Sequence, residues 1–146
     1  MALETAPEIA DRELSVVREE LRWGVEECSV EAVPHPKGPG NAIVLEIQTE
    51  HVTAVFTGFG ERCRPAEAVA REAVDAAKAW LQADVPVDEY LADQLLLPLA
   101  LVGSGSFRTT KTSLHATTNA AIISLFLPVR IRMQQENELV WSVTAT

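Results

Sequence analysis

Two alternating apolar runs, AIVLEIQT (42–49) and VTAVFTGFG (52–60), are separated only by Glu50 and His51. Side chains alternate across a strand, so Ile43, Leu45 and Ile47 share one face. So short a connection joins antiparallel neighbours, because parallel strands need a long crossover. The pair therefore predicts a β-hairpin. The next segment, PAEAVAREAVDAAKAWLQ (65–82), has the 3.6-residue period of an amphipathic helix. Pro65 suits its first position, and Ala66, Val69, Ala73, Ala77 and Trp80 or Leu81 form its buried stripe.

The remaining elements follow the same logic. Residues 7–22 predict a helix on Ala10, Leu14, Val17 and Leu21, ended by Gly24. EECSVEAVP suggests a strand near 27–33, and PHPKGPGN a loop. After a connector, ADVPVD, residues 88–101 predict a helix bent or ended near Pro98, whose ring removes a backbone donor. GSGSFRTT enters a strand, residues 118–127 form a short helix, and VRIRMQQ and LVWSVTA are two strands joined near Glu136-Asn137. Helices and strands mix without strict β-α alternation. That predicts an α+β fold with mainly antiparallel sheets.

Charge is unevenly spread. The net charge of −9 argues against a nucleic-acid-coating surface overall. Residues 1–93 hold 8 basic and 19 acidic side chains, whereas residues 94–135 hold Arg108, Lys111, Arg130 and Arg132 and no acid. Either the apolar C-terminal segments simply carry few charges, or a local basic surface for phosphate lies near His115. No apolar run is long enough to span a membrane. The start, MALETAPEIADRELSVV, lacks the pattern of a signal peptide, so a cytoplasmic location is expected. Cys28 and Cys63 are expected to be free thiols. With His35 and His51 they match no zinc-ligand spacing, so no metal-binding residue is assigned.

Two constellations could carry chemistry. In Tyr90-Leu-Ala-Asp93-Gln94, the phenol, carboxylate and amide stand at i, i+3 and i+4 of a helix and share a face. The same pattern also describes the wet side of an ordinary amphipathic helix. In TSLHATTN, His115 precedes a helix for which Thr117 or Thr118 would be the N-cap. A helix N-terminus suits phosphate, and a histidine beside it could attack phosphorus. A partly buried histidine with a backbone partner is the plainer reading.

Taken in order, GPGNAIVLEIQ, EYLADQLLLPLAL, GSGSF and LHATTNAAIISLFLP resemble the RNA 3'-terminal phosphate cyclase family, with His115 following Asp93 by twenty-two positions. The resemblance implies a small inserted α/β-sandwich module over 1–83 and the last part of a sheet-and-helix cyclase domain over 84–146. It implies an ATP-dependent reaction in which a histidine, matched by His115, is adenylated on the way to a 2',3'-cyclic phosphate RNA end. It assigns Tyr90, Leu91, Ala92, Asp93 and Gln94 to the nucleotide, with Tyr90 stacking on adenine and Asp93 orienting the imidazole. Thr117, Thr118 and Asn119 would set the helix end that receives phosphate. A divalent metal, magnesium by the family's habit, would be held mainly by residues outside this chain. The partners implied are RNA 3'-phosphate ends and an N-terminal half of the cyclase, or self-association through a bared LLLPLALV surface. Less than half of a full-length member is matched, so weak or no activity alone is expected. A non-catalytic, cyclase-like interaction or assembly module in RNA processing is the competing expectation.

Overall fold

The computed structural model describes residues 6–146; residues 1–5, where the signal-peptide reading begins, lie outside it. Backbone contacts divide the chain into two units, one holding the chain up to Gln48 with Val55–Lys78, the other Thr49–Ala54 with Ala79–Thr146.

The first unit sets two helices and a hairpin together. Helix α1 spans Ala6–Leu21, strand β1 Ala42–Gln48, strand β2 Thr53–Phe59 and helix α2 Ala66–Ala83. The hairpin turn is tied by Thr49 N–H donating to the Val52 carbonyl at 2.9 Å. Ile43, Leu45, Phe56 and Gly58 are buried while Val44, Val55 and Phe59 are exposed, so the expected alternation holds. Gly58 is required by packing: a Cβ there would meet the Val69 carbonyl oxygen of α2 at 2.5 Å. Helix α2 buries Ala66, Val69, Ala73, Ala77 and Trp80 as expected, and leaves Leu81 exposed.

Helix α1 buries Val17 of the expected stripe but is rotated away from the rest of it. Val16, Val17 and Glu13 are buried, while Ala10, Leu14 and Leu21 are only partly so. Polar pairs between α1 and α2 set that rotation. Arg12 donates twice to Glu67 at 2.7 Å, and Lys78 reaches Glu20 at 2.6 Å. Asn41 Nδ2 donates to Glu13 at 2.6 Å, so a buried carboxylate is accepted where apolar periodicity alone pointed elsewhere. The strand expected near 27–33 is absent. A short 3-10 turn, Val25–Glu27, is followed by irregular chain through Asn41. Val30 and Val33 are exposed, so the run has no apolar face to bury. Pro34 and Pro36 beyond it lack amide donors.

The second unit is a three-stranded sheet carrying two helices. Helix α3 spans Glu89–Val102, strand β3 Gly105–Thr109, helix α4 Leu114–Phe126, strand β4 Ile131–Gln135 and strand β5 Trp141–Ala145. The sheet order is β3-β5-β4, and β5 is antiparallel to both neighbours. Strands β3 and β4 therefore run parallel, joined by α4, with β5 between them. The register aligns Phe107, Val143 and Met133 across the sheet. These three meet Leu96 of α3 and Ala116, Ala120 and Ile123 of α4 in one apolar cluster. A second cluster joins Ala100, Val129 and Ala145 with Leu99, Ile123, Leu127 and Ile131.

Helix α3 is set at both ends. Asp88 Oδ1 accepts from Tyr90 N–H at 2.7 Å and Leu91 N–H at 3.0 Å, an N-cap that satisfies orphan donors. The buried Thr109 hydroxyl donates to the Asp88 carbonyl at 3.1 Å, fastening that cap to β3. Gly103, at φ 85°, ends the helix in the left-handed conformation that costs glycine little. The helix runs through Pro98 and does not end there. Pro98 and Gln94 are both exposed, so the Gln94 carbonyl that loses its helical donor can turn to water.

The α+β expectation is met: helices lie on antiparallel sheets in both units. Among the described residues no helix is long and apolar enough to cross a membrane.

Candidate functional site

Helices α3 and α4 meet through small buried side chains, Ala92, Ala116 and Ala120, beside Leu96. Small contacts let two helices approach closely, which brings together the polar residues at the edge of their contact. At that edge Asn119 Nδ2 donates to Asp93 Oδ1 at 2.7 Å. Tyr90 and Gln94 flank Asp93 on one face of α3. His115 stands one turn before Asn119 on α4. The single Asn119–Asp93 bond thus joins the two constellations into one polar seam.

The five residues of the α3 stretch divide by their surroundings. Tyr90 is 72% exposed, so its ring face is open to a planar ligand. Gln94 is exposed and Asp93 half-buried, whereas Leu91 is half-buried and the Ala92 methyl is fully buried in the core. His115 is exposed, not partly buried. Among the described residues no hydrogen bond joins Asp93 to His115; the carboxylate's partner is Asn119. If Asp93 fixes the imidazole in the folded chain, it does so through the shared seam.

The start of α4 differs from the expected one. The helix begins at Leu114, and Ser113 is its cap, accepting from Ala116 N–H at 3.1 Å. Thr117 and Thr118 instead donate back to the Leu114 carbonyl at 2.9 and 2.8 Å, as hydroxyls inside a helix do. Tertiary packing explains the shift. Ala116 and Ala120, four apart, are both buried against α3 and β5, and this anchors the turn that the two β-branched threonines would otherwise disfavour. His115 therefore lies inside the first turn, where the helix dipole favours an anion; Ser113 takes the N–H of Ala116. Asn119, also expected at the helix end, lies in the second turn and binds Asp93.

The basic residues do not gather around His115 as one. Lys111 pairs with Glu89 at 2.9 Å and Arg108 with Glu136 at 3.0 Å. Arg108 and Arg132 alternate with Phe107 and Met133, which face the helices, so both arginines project from the opposite side of the sheet.

Residues 1–82 match the model of the RNA 3'-terminal phosphate cyclase insert domain. The chain belongs to the RNA 3'-terminal phosphate cyclase family. A relative named RNA 3'-terminal phosphate cyclase in Ralstonia nicotianae is 49% identical over 132 residues, 90% of this chain and 38% of that protein. A protein of the same name in Pseudomonas aeruginosa is 46% identical over 84% of this chain and 36% of its own length. Another in Koribacter versatilis is 44% identical over 88% of this chain. The cyclase matches run past the insert domain into the segment that carries the seam, since the insert model ends at residue 82. The chain spans well under half the length of these curated relatives.

Proposed function

We propose that this chain supplies the insert module and the nucleotide-attacking seam of an ATP-dependent RNA 3'-terminal phosphate cyclase. The observation that carries the reading is the Asn119–Asp93 bond. It gathers an exposed histidine, an open tyrosine ring, a carboxylate and an amide on two packed helices.

The chemistry follows from those groups. Tyr90 stacks on the adenine and Gln94 offers its amide to the nucleotide. A neutral His115 nitrogen attacks the α-phosphorus of ATP; the bond to the β-phosphate oxygen breaks and pyrophosphate leaves. The first-turn N–H groups of α4 stabilise the charge on the α-phosphate oxygens. An oxygen of the RNA 3'-phosphate then attacks the histidine-bound phosphorus, and the P–N bond breaks. Last, the neighbouring 2'-hydroxyl attacks the 3'-phosphorus, loses its proton and expels AMP. One ATP yields AMP, pyrophosphate and a 2',3'-cyclic phosphate end. Asn119 holds Asp93 at the edge of the contact between α3 and α4.

Magnesium, if it accompanies the triphosphate, falls to residues beyond this chain. Among the described residues no three His, Cys, Asp or Glu side chains converge on a metal position.

Because the chain spans 36–40% of the relatives' lengths, we take turnover to need the remaining cyclase portion. The apolar surface supports this. Helix α4 buries alanines and exposes Leu125 and Phe126 at 82% and 81%, and α3 exposes Leu97 and Leu101. An exposed patch of that kind marks an interface. The same short span favours a second reading, a non-catalytic interaction module.

The test is RNA end chemistry. The chain is mixed with ATP, magnesium, a 3'-phosphorylated RNA and the N-terminal portion of the Ralstonia nicotianae relative. Ends that become phosphatase-resistant, and stay sensitive with His115→Ala, support the cyclase. Unchanged ends, with a stable complex between the two polypeptides, favour the interaction module.

A further inference from the structure

We propose that the open face of the three-stranded sheet docks the phosphate backbone of a single RNA strand. The sheet has one face under α3 and α4. The register defines the other as rows of paired residues: Ser106, Thr144 and Arg132, then Arg108, Ser142 and Gln134. The ladder extends one step further, where Arg130 and Thr146 exchange backbone hydrogen bonds at 2.8 and 3.0 Å, adding Arg130 to the same column as Arg132. The central strand thus presents hydroxyls, and arginines stand along both sides of it.

The chemistry of the face selects its occupant. Arg108, Arg130 and Arg132 are exposed, and neither Arg130 nor Arg132 forms an ion pair among the described residues. Of the two acids in the β4–β5 turn, Glu136 and Glu138, Glu136 is held by Arg108. Arg130 and Arg132 stand roughly 7 Å apart, two residues along one strand. Planar guanidinium groups bind phosphate oxygens in pairs, and serine and threonine hydroxyls add neutral donors. Since no aromatic ring lies on these rows, bases have nothing to stack on, and binding is to the backbone without sequence preference.

Magnitude decides whether this survives an overall charge of −9. At physiological ionic strength charges beyond about 8 Å are largely screened, and residues 94–135 contain no acid. A phosphate at the face therefore responds mainly to the three arginines, and affinity is weak and strongly salt-dependent. That the polyanion is RNA rests on the cyclase reading. The face is on the side of the sheet away from His115, so it holds the body of the strand and not its reacting end.

Fluorescence anisotropy of the full chain with a short labelled single-stranded RNA, ending in a 3'-hydroxyl so that it is no cyclase substrate, tests this. The wild type is expected to bind at low salt. The triple variant Arg108→Gln, Arg130→Gln, Arg132→Gln should bind ~10-fold or more weakly, with a log–log salt slope shallower by about 2. The triple Arg→Lys variant should keep most of the affinity, and His115→Ala all of it. No binding at low salt, an unaffected glutamine variant, or loss of binding in His115→Ala would each overturn the proposal. With the complementing cyclase portion and ATP added, His115 adenylation should be unchanged by the arginine substitutions. Absence of adenylation in that mixture, with RNA binding intact, would sink the cyclase reading and leave the docking face standing.

Discussion

The two units solve the same problem, covering apolar faces, with different degrees of completeness. In the first, α2 turns Val69, Ala73 and Ala77 inward and sets charges outward, and those charges meet partners on α1. In the second, α4 buries only alanines fully and leaves its largest side chains in water. The first unit matches the insert model and pairs its helix charges, while Val44, Val55 and Phe59 stay exposed on the outer face of the hairpin. The second resembles a slice of a larger body, as expected where the curated relatives are more than twice as long as the matched segment. The polar seam occurs on the second, so the candidate site and the exposed apolar surface share two helices.

This contrast can be broken most directly in the second core. Leu96 is fully buried among Ala116, Ala120 and Val143. Leu96→Ala should cost ~2–5 kcal/mol by loss of transfer energy plus a cavity. Amide exchange should then rise across β3, β5 and α4 while the α1–α2 amides stay protected. Equal loss in both units would show that they unfold as one.

Next in size is the outer surface of α4. Leu125→Ser with Phe126→Ser removes two exposed apolar side chains that make little contact in the chain itself. Binding of an apolar-surface dye should fall by about half or more, with Tm little changed. An unchanged dye signal would place the sticky surface elsewhere.

A smaller effect sharpens the picture of the first unit. Burial pushes the Glu13 carboxyl above its ordinary value of 4.5, and the Asn41 amide offsets part of that. With the folded value raised, the native state binds the extra proton. The part of the stability owed to Glu13 is therefore greatest below about 4.5 and is lost as pH rises through the raised value. Glu13→Gln should raise Tm at pH 7 and change it little in acid, read by thermal melts at both pH values. A lower Tm at pH 7 would mean the charge itself is needed. The smallest effect is at Glu67, whose carboxyl the hydrogen-bonded Arg12 guanidinium lowers to about 2. Its contribution is present above 4.5 and fades as pH falls toward 2, and its exposure keeps it small. Glu67→Gln should flatten the acid limb of the stability curve slightly.

Much of this contrast was written in the sequence. The hairpin and α2 follow from period and punctuation, because their apolar faces are regular and Pro65 marks the start of α2. Helix α3 was legible as a helix, but its end was not, since Pro98 imitates a stop ahead of Gly103, where the chain turns left-handed. The face of α1 was legible only at Val17, since a buried Glu13 breaks the apolar stripe and its partner Asn41 is distant in sequence. The start of α4 was missed because threonines imitate caps; Ser113 was available but gave no sign of which hydroxyl would win. The strand near 27–33 had alternation without a partner. At the site, the two motifs were visible separately. Their junction was not, because the Asn119–Asp93 bond depends on how α3 and α4 pack.

The central claim is that the imidazole at the head of α4 is the group that receives the adenylyl moiety. The most direct test is tandem mass spectrometry of the chain after incubation with ATP, magnesium and the complementing cyclase portion. The account predicts an acid-labile adenylyl group on His115. Its appearance on Lys111 instead, or a protein that turns over RNA ends with His115 never modified, would contradict it.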